Sequence, residues 1–269
     1  AQELFMADPL ATMPPQVAFI TGASSGFGEG LALRFAQRGY DVGLTARRVD
    51  RLEALAERAY AVGREARIYP CDVADREALL DAIRQCEEDL GPIDLMIANA
   101  GVSQYVTADD LDSREVERIM AINFLGTVTA AEGVLPGMLA RGRGQIVAMS
   151  SLASFQGLPN HGTYSASKAA INAFFEGLRL DVAPRGVDVT IINPGFVKTE
   201  MTAGRRHPMP FLMDLDPALD IMVEGIRNRK RMIRYPFPLS TLAWWARLLP
   251  RAWYDRLVMK ILPRRDITV

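Results

Sequence analysis

The chain has 269 residues, 49% of them hydrophobic and 23% charged, which is enough to bury a core as one large domain or two small ones and excludes a disordered chain. With 31 Lys and Arg against 32 Asp and Glu the net charge is −1, which offers nothing to a general nucleic-acid binder. Two separated cysteines, Cys71 and Cys86, exclude a disulfide scaffold and make a reducing, cytoplasmic setting the default, while two histidines, His161 and His207, leave little material for a zinc site.

Residues 1–15 have no basic stretch followed by an apolar one, so they do not read as a signal peptide. Pro9, Pro14 and Pro15 make them a poor helix, and an extended or mobile tail is expected. No run of eighteen apolar residues occurs, which argues against a membrane-spanning helix. From Val17 short apolar runs alternate with longer amphipathic ones. Strands are expected at Val17–Thr21, Val42–Thr45, Ala66–Tyr69, Leu95–Asn99, Gln145–Ser150 and Val187–Ile192. Helices fall near Gly28–Arg38, Asp50–Val62, Arg76–Asp89, Ser113–Ala140 and Ser165–Ala183, and a last helix near Pro217–Asn228 precedes a strand near Met232–Tyr235. Strands spaced by helices imply β-α-β crossovers and a parallel sheet buried on both faces. The expected architecture is a doubly wound α/β domain over residues 16–236.

The first strand runs into Thr21-Gly22-Ala23-Ser24-Ser25-Gly26-Phe27-Gly28 as a helical pattern begins. Glycines there allow positive φ and close approach of backbone to a ligand, and the free amides of a helix start favour a pyrophosphate. The spacing is G-x-x-x-G-x-G, not G-x-G-x-x-G. The same residues also fit G-x-S-x-G, the turn that carries a hydrolase nucleophile, with His161 and His207 both downstream; that reading leaves Gly28 unexplained. After the second strand, where an acidic residue would hold the 2′-hydroxyl of NAD, the chain reads Ala46-Arg47-Arg48. Two guanidinium groups suit a 2′-phosphate, so NADP(H) is expected, unless they merely open a solvated helix.

Further along stand Asn99-Ala100-Gly101, Asn123, Ser150-Ser151, Tyr164-Ser165-Ala166-Ser167-Lys168 and Asn193-Pro194-Gly195. In this order, with Thr21–Gly28, they resemble the short-chain dehydrogenase/reductase family over roughly Pro15 to Met201. The resemblance implies a Rossmann-like fold, a single domain, and an oxidoreductase that moves hydride between NADP(H) and a carbonyl or secondary alcohol. It implies Asn123, Ser151, Tyr164 and Lys168 as the catalytic set, Ser151 because it lies thirteen residues before Tyr164. By the same resemblance the cofactor meets Gly22, Ser24, Ser25, Gly26, Phe27, Gly28, Arg47, Arg48, Asp72 beside adenine, Val73, Asn99, Ala100, Gly101, Pro194, Gly195, Val197 and Thr199, besides Tyr164 and Lys168. Asn123 would hold a water linking Lys168 to solvent, and a homodimer or homotetramer would form through the two long helices. The chemistry also follows from residue types. Tyr164 and Lys168 are four apart and share a helix face, and an ammonium there draws a phenol near pKa ~10 toward the working range. Ser151 can hydrogen-bond the substrate oxygen. A non-catalytic NADP-binding sensor would need only the glycine turn, so the retained set favours an enzyme.

The segment 195–216 is expected to cover the substrate, and Met209-Pro210-Phe211-Leu212-Met213 makes an apolar lid or a piece of core. A hydrophobic carbonyl substrate follows, lipid-like (a long-chain 3-ketone) or steroid-like. Residues 237–269 read as a helical extension. Leu239–Leu249 places Leu242, Trp245 and Leu249 on one face, and Arg251–Leu262 places Trp253, Leu257, Val258 and Ile261 on one face. Trp244, Trp245 and Trp253 stand there beside Arg247, Arg251, Arg256 and Lys260, a pattern that suits a membrane interface, a cover over the active site, or a partner subunit. Residues 205–269 carry 13 Lys and Arg against 6 Asp and Glu, so near-neutrality conceals an acidic body and a basic end.

Overall fold

The computed structural model describes residues 16–203, 209–246 and 248–261, without the side chains of Leu257, Lys260 and Ile261. The expected tail 1–15, His207, Arg247 and Leu262 lie outside the described residues.

The sheet assembles from seven strands among the described residues: β1 (Val17–Thr21), β2 (Asp41–Thr45), β3 (Ala66–Ile68), β4 (Ile93–Ala98), β5 (Gly144–Met149), β6 (Val187–Pro194) and β7 (Met232–Tyr235). All pairs are parallel, in the order β3-β2-β1-β4-β5-β6-β7. Strands rich in Val, Ile and Ala have both faces covered, so they read as unbroken apolar runs rather than alternating ones. The chain leaves β1 toward β2 on one side and later returns to β4 on the other. At that reversal the loops at the carboxyl ends of β1 and β4 part and leave a crevice.

Helices cover both faces. On one side lie α1 (Gly26–Ala36), α2 (Val49–Tyr60) and α7 (Leu215–Arg227), whose Leu31, Phe35, Leu52, Leu55, Leu219 and Met222 join Ile20, Leu44 and Ile97 in one core. On the other lie α3 (Arg76–Leu90), α4 (Ser113–Met120), α5 (Gly126–Arg141) and α6 (Gly162–Val182), with Leu79, Ile83, Val134, Met138, Ile171 and Phe175 against Phe19, Met96 and Ile146. Two helices, α8 (Phe237–Ala246) and α9 (Arg251–Ile261), follow β7.

The expected boundaries stand within a few residues, and one helix differs in kind. Ser113–Ala140, expected as one α-helix, is interrupted by a wide π-turn at Ala121–Leu125 that carries Asn123. Such turns accommodate one extra residue inside a helix and recur at functional sites. Asn123 is fully buried there, and its carbonyl accepts from Thr127 Oγ1 at 2.7 Å. By length and hydropathy the run Ser113–Arg141 is sufficient to cross a membrane, with a mean hydropathy of 1.4 over its best window, contrary to the count of unbroken apolar residues. Half of that window is buried inside the domain, where α5 packs on α3 and β4, and this packing accounts for its apolarity.

Candidate active site

The turn after β1 leaves no room for a side chain at Gly22 or Gly28. Gly22 has φ +65°, and a Cβ on it would stand 2.8 Å from Ala100 Cα; a Cβ on Gly28 would stand 2.2 Å from the Gly22 carbonyl. The turn is braced from β4: Asn99 Nδ2 donates to the carbonyls of Thr21 and Gly22 at 3.0 and 3.3 Å, while Thr21 Oγ1 accepts from the amides of Asn99 and Ala100. Ser25 occupies the N-cap of α1 without a side-chain bond to the first turn. The start of α1, with its dipole, therefore faces the crevice, as an anion requires.

Ser24 and Ser25 hold a guanidinium instead of a histidine. Arg48 donates from Nε and Nη2 to Ser24 Oγ at 3.1 and 2.9 Å, and from Nη2 to Ser25 Oγ at 2.7 Å. His161 sets its ring edge-on to Tyr105 at 4.4 Å, with Nδ1 3.2 Å from the Pro159 carbonyl. The arrangement lacks a hydrolase nucleophile and base among the described residues. Arg47 stands 3.6 Å from Asp72, so the two arginines and the residue expected beside adenine form one polar rim.

Glu200 crosses to this rim from the segment after β6. Its carboxylate accepts from Arg48 Nη1 at 3.0 Å and pairs with Arg51. Arg51 first and then Arg48 hold its carboxyl down at about 2, so it is ionised throughout the neutral range. Thr199, one residue earlier, stands over the glycine turn: a Cβ on Gly26 would meet it at 3.6 Å. Sequence reasoning missed Glu200, because nothing local to Thr199-Glu200-Met201 signals arginines some 150 positions earlier.

At the carboxyl ends of β4 and β5 the catalytic candidates gather. Lys168 is buried beneath Tyr164, its Nζ 5.8 Å from the tyrosine ring centre and 2.7 Å from the Met149 carbonyl to which it donates. Burial pulls its ammonium down to about 7. The charge expected to draw down the Tyr164 phenol is therefore itself costly here. Both serines border the cleft, but Ser150 is buried and its hydroxyl donates to the Lys168 carbonyl at 2.9 Å, whereas Ser151 is only half-buried and accepts from the Ala153 amide at 3.1 Å. The Ser150 hydroxyl is committed to bracing α6, which leaves Ser151 the more accessible of the two.

Asn123 does not reach the cleft wall. Its side chain is spent on the backbone of Val102, at 2.8 and 2.9 Å, and on Ser167 Oγ at 3.0 Å. A Cβ on Gly101 would lie 3.4 Å from both Asn123 Oδ1 and Lys168 Nζ, so the two side chains flank that glycine. Asn123 thus locks the loop after β4 onto α6. Asn123 Oδ1 accepts one bond, from the Val102 amide, and its main-chain carbonyl one, from Thr127 Oγ1, which leaves each oxygen a second acceptor site for the water expected here.

One cleft of about 510 Å³ unites these groups. Every expected cofactor contact lines it except Gly28, which is packed under the turn. Beyond Tyr164 the cleft continues between Leu152, Phe155, Leu158 and the helices α8 and α9, which contribute Leu239, Leu242, Ala243, Ala246, Tyr254 and Val258. The two helices are tied down: Tyr254 Oη donates to the Gly157 carbonyl at 2.9 Å and Arg251 to Gln156 Oε1 at 3.0 Å. Two face assignments need correction. Trp245 lies outside the cleft, one turn beyond Leu242 at its rim, and Trp253 is exposed while Tyr254 joins Val258 on the inner face of α9. In the expected lid, Met213 packs on the core and Pro210 lines the cleft, while Phe211 and Leu212 face solvent.

A parallel sheet with its glycine turn at the strand reversal and a Tyr-x-x-x-Lys helix at the same cleft defines a dinucleotide-dependent oxidoreductase scaffold. The chain belongs to the short chain dehydrogenase family, whose model matches residues 16–210. It is 40% identical over 252 residues to an uncharacterised oxidoreductase of Myxococcus xanthus, covering 94% of this chain and 100% of that protein. An 11-beta-hydroxysteroid dehydrogenase-like protein of Arabidopsis thaliana is 40% identical over 189 residues, 70% of this chain and 61% of that one. A short-chain dehydrogenase from Sphingobium yanoikuyae, solved in complex with NADPH, superimposes with a TM-score of 0.78 at 28% identity, covering 94% and 98% of the two chains.

Proposed function

We propose that this protein is an NADP(H)-dependent carbonyl reductase or alcohol dehydrogenase acting on a hydrophobic, lipid-like or steroid-like ketone. The observation that carries the reading is the continuity of the cleft, from the glycine turn and Arg47–Arg48, past Tyr164, into an apolar end walled by α8 and α9. The residues fit the cofactor: the glycine turn admits a pyrophosphate, and the paired arginines at the end of β2 suit a 2′-phosphate in place of a carboxylate. The NADPH complex of the Sphingobium relative supports the cofactor choice, and the hydroxysteroid dehydrogenase-like relative supports a bulky apolar substrate.

When bound, the nicotinamide supplies or accepts the hydride. Ser151 hydrogen-bonds the substrate oxygen, and Tyr164 gives that oxygen a proton as a carbonyl becomes an alcohol. Protonated Lys168 favours the phenolate that remains, and burial under Tyr164 keeps this charge from being dissipated in water. The apolar end excludes water and holds the hydrocarbon part. The test is NADPH consumption against small aldehydes, sugars, steroids and long-chain 3-ketones, repeated with NADH. Preference for the last two classes with NADPH is expected; equal use of NADH overturns the cofactor assignment, and preference for sugars overturns the substrate class.

Assembly as a homodimer or homotetramer fits the same reading. Leu125 on the π-turn and Phe174 and Leu180 on α6 leave large apolar side chains in solvent on the two long helical segments expected to form the contact. Light scattering at micromolar concentration distinguishes a monomer from either oligomer.

A further inference from the structure

Helix α8 has no charged residue and two apolar faces. Leu239, Ala243 and Ala246 face the cleft. On the outside, Phe237 is 79% exposed, Trp245 57% and Leu248, just beyond the helix, 67%; Trp253 on α9 is 64% exposed. A helix apolar all round is normally buried on all sides. Here the hydrogen bonds to Gln156 and Gly157 fix the inner face and leave the outer one in water. Isolated exposed apolar side chains are ordinary, but a run of this size on adjoining elements marks a contact surface.

Its surroundings state the partner's charge. Arg234 stacks on the Trp244 ring at 6.0 Å, and Arg251 and Arg256 are exposed on α9 with Asp255 as their acidic neighbour. The whole segment 205–269 has more than twice as many basic as acidic residues. A second copy meeting this face symmetrically would oppose basic side chains to themselves. An anionic headgroup layer complements them, while tryptophan and phenylalanine are the side chains that settle at the headgroup boundary. The cleft opens at the same place: Leu242 and Met201 both line it and are largely exposed, so they form its rim, and Leu242 is one helix turn from Trp245.

We propose that the outer face of α8 and α9 docks on an anionic lipid bilayer, and that the apolar substrate enters the cleft from that surface past Leu242 and Met201. The entry step rests on the function proposed above; the docking step does not.

All three tryptophans of the chain lie on these two helices, so intrinsic fluorescence reports this face alone. The experiment uses the full chain with vesicles of phosphatidylcholine alone or mixed with phosphatidylglycerol, read by flotation and by tryptophan emission. A blue shift and flotation with the mixed vesicles, weakened by salt, are expected. Trp245→Ala/Trp253→Ala and, separately, Arg234→Glu/Arg256→Glu each lower the vesicle-bound ratio at least about tenfold. The tryptophan variant reduces a water-soluble ketone at the parent rate and a vesicle-borne long-chain ketone more slowly. Failure of the parent protein to float with mixed vesicles overturns the proposal, as does flotation undiminished in both double variants. A dimer that the tryptophan variant converts to monomer, without vesicle binding by the parent, assigns the face to a second copy instead. Flotation with no turnover of any ketone sustains docking and sinks the catalytic reading.

Discussion

The two ends of the cleft are built in different ways. The cofactor end consists of short turns at the tips of adjacent strands, and close packing of one turn on the next fixes them: Gly22 and Gly28 because a Cβ has no space, Asn99 because its amide braces two carbonyls of the turn after β1. The substrate end brings together segments from residues 152–158, 196–202 and 239–258, held by a few long-range bonds such as Tyr254 to Gly157. Most of its lining is Leu, Ala, Val and Phe, which tolerate exchange. Chemistry is thus held constant at one end while the shape at the other is free to change. Damage at the cofactor end should abolish reaction or binding, and damage at the substrate end should alter only which ketone is used.

The largest effect belongs to Tyr164. Tyr164→Phe removes the proton donor and leaves the ring that packs over Lys168, so turnover should fall by about 10²–10⁴ while NADPH binding changes little. Turnover within a few-fold of the parent breaks the mechanism. Lys168 comes next, through stability. In the unfolded chain its ammonium titrates near ~10.5, and in the folded protein at about 7. Between these values the unfolded state holds one proton more, so the group makes stability rise with pH across that window. Below about 7 both states are charged and the folded one carries the full cost of burial. Thermal melts of the cofactor-free protein should show a gain on the order of a few kcal/mol from neutral toward alkaline pH. Lys168→Met should flatten that rise; an unchanged slope shows that Lys168 is not its source.

Most of the sheet was legible because parallel strands buried on both faces are unbroken apolar runs, and Val17–Thr21 matches its expected limits to the residue. The turn chemistry was legible for the same reason that it is rigid. The π-turn at Asn123 was not, since its extra residue leaves the apolar period of Ser113–Ala140 almost unchanged; the helix-disfavouring asparagine was its one signal. The faces of α8 were misjudged because a helix without charged residues has no polar side to orient it. Glu200 escaped because ion pairs between distant loops depend on where the chain returns.

Among the arginines the effect should be intermediate. Arg48→Ala removes the guanidinium that Ser24 and Ser25 hold at the rim, so NADPH should bind about 10–100-fold more weakly and NADH nearly as before. Equal losses for both cofactors would place Arg48 in the fold of the turn and not at the phosphate.

The smallest effect, at Glu200, sharpens the comparison most, because this residue joins the two ends. Its carboxylate occupies Arg48 and Arg51 from the segment that also carries Thr199 and Met201. A 2′-phosphate on Arg48 would then lie beside a fixed negative charge, and the two anions oppose each other through a shared guanidinium. Any general effect of Glu200 on closing the segment acts on both cofactors alike and cancels in their ratio. Glu200→Gln should therefore tighten NADPH relative to NADH by about 2–5-fold, with the difference shrinking as salt is added. Because Arg51 and Arg48 hold the carboxyl at about 2, the ratio should not vary with pH across the neutral range on this account. A ratio that moves toward NADH would make Glu200 a support for the phosphate-binding arginines, and the substrate segment would then strengthen the cofactor end it crosses.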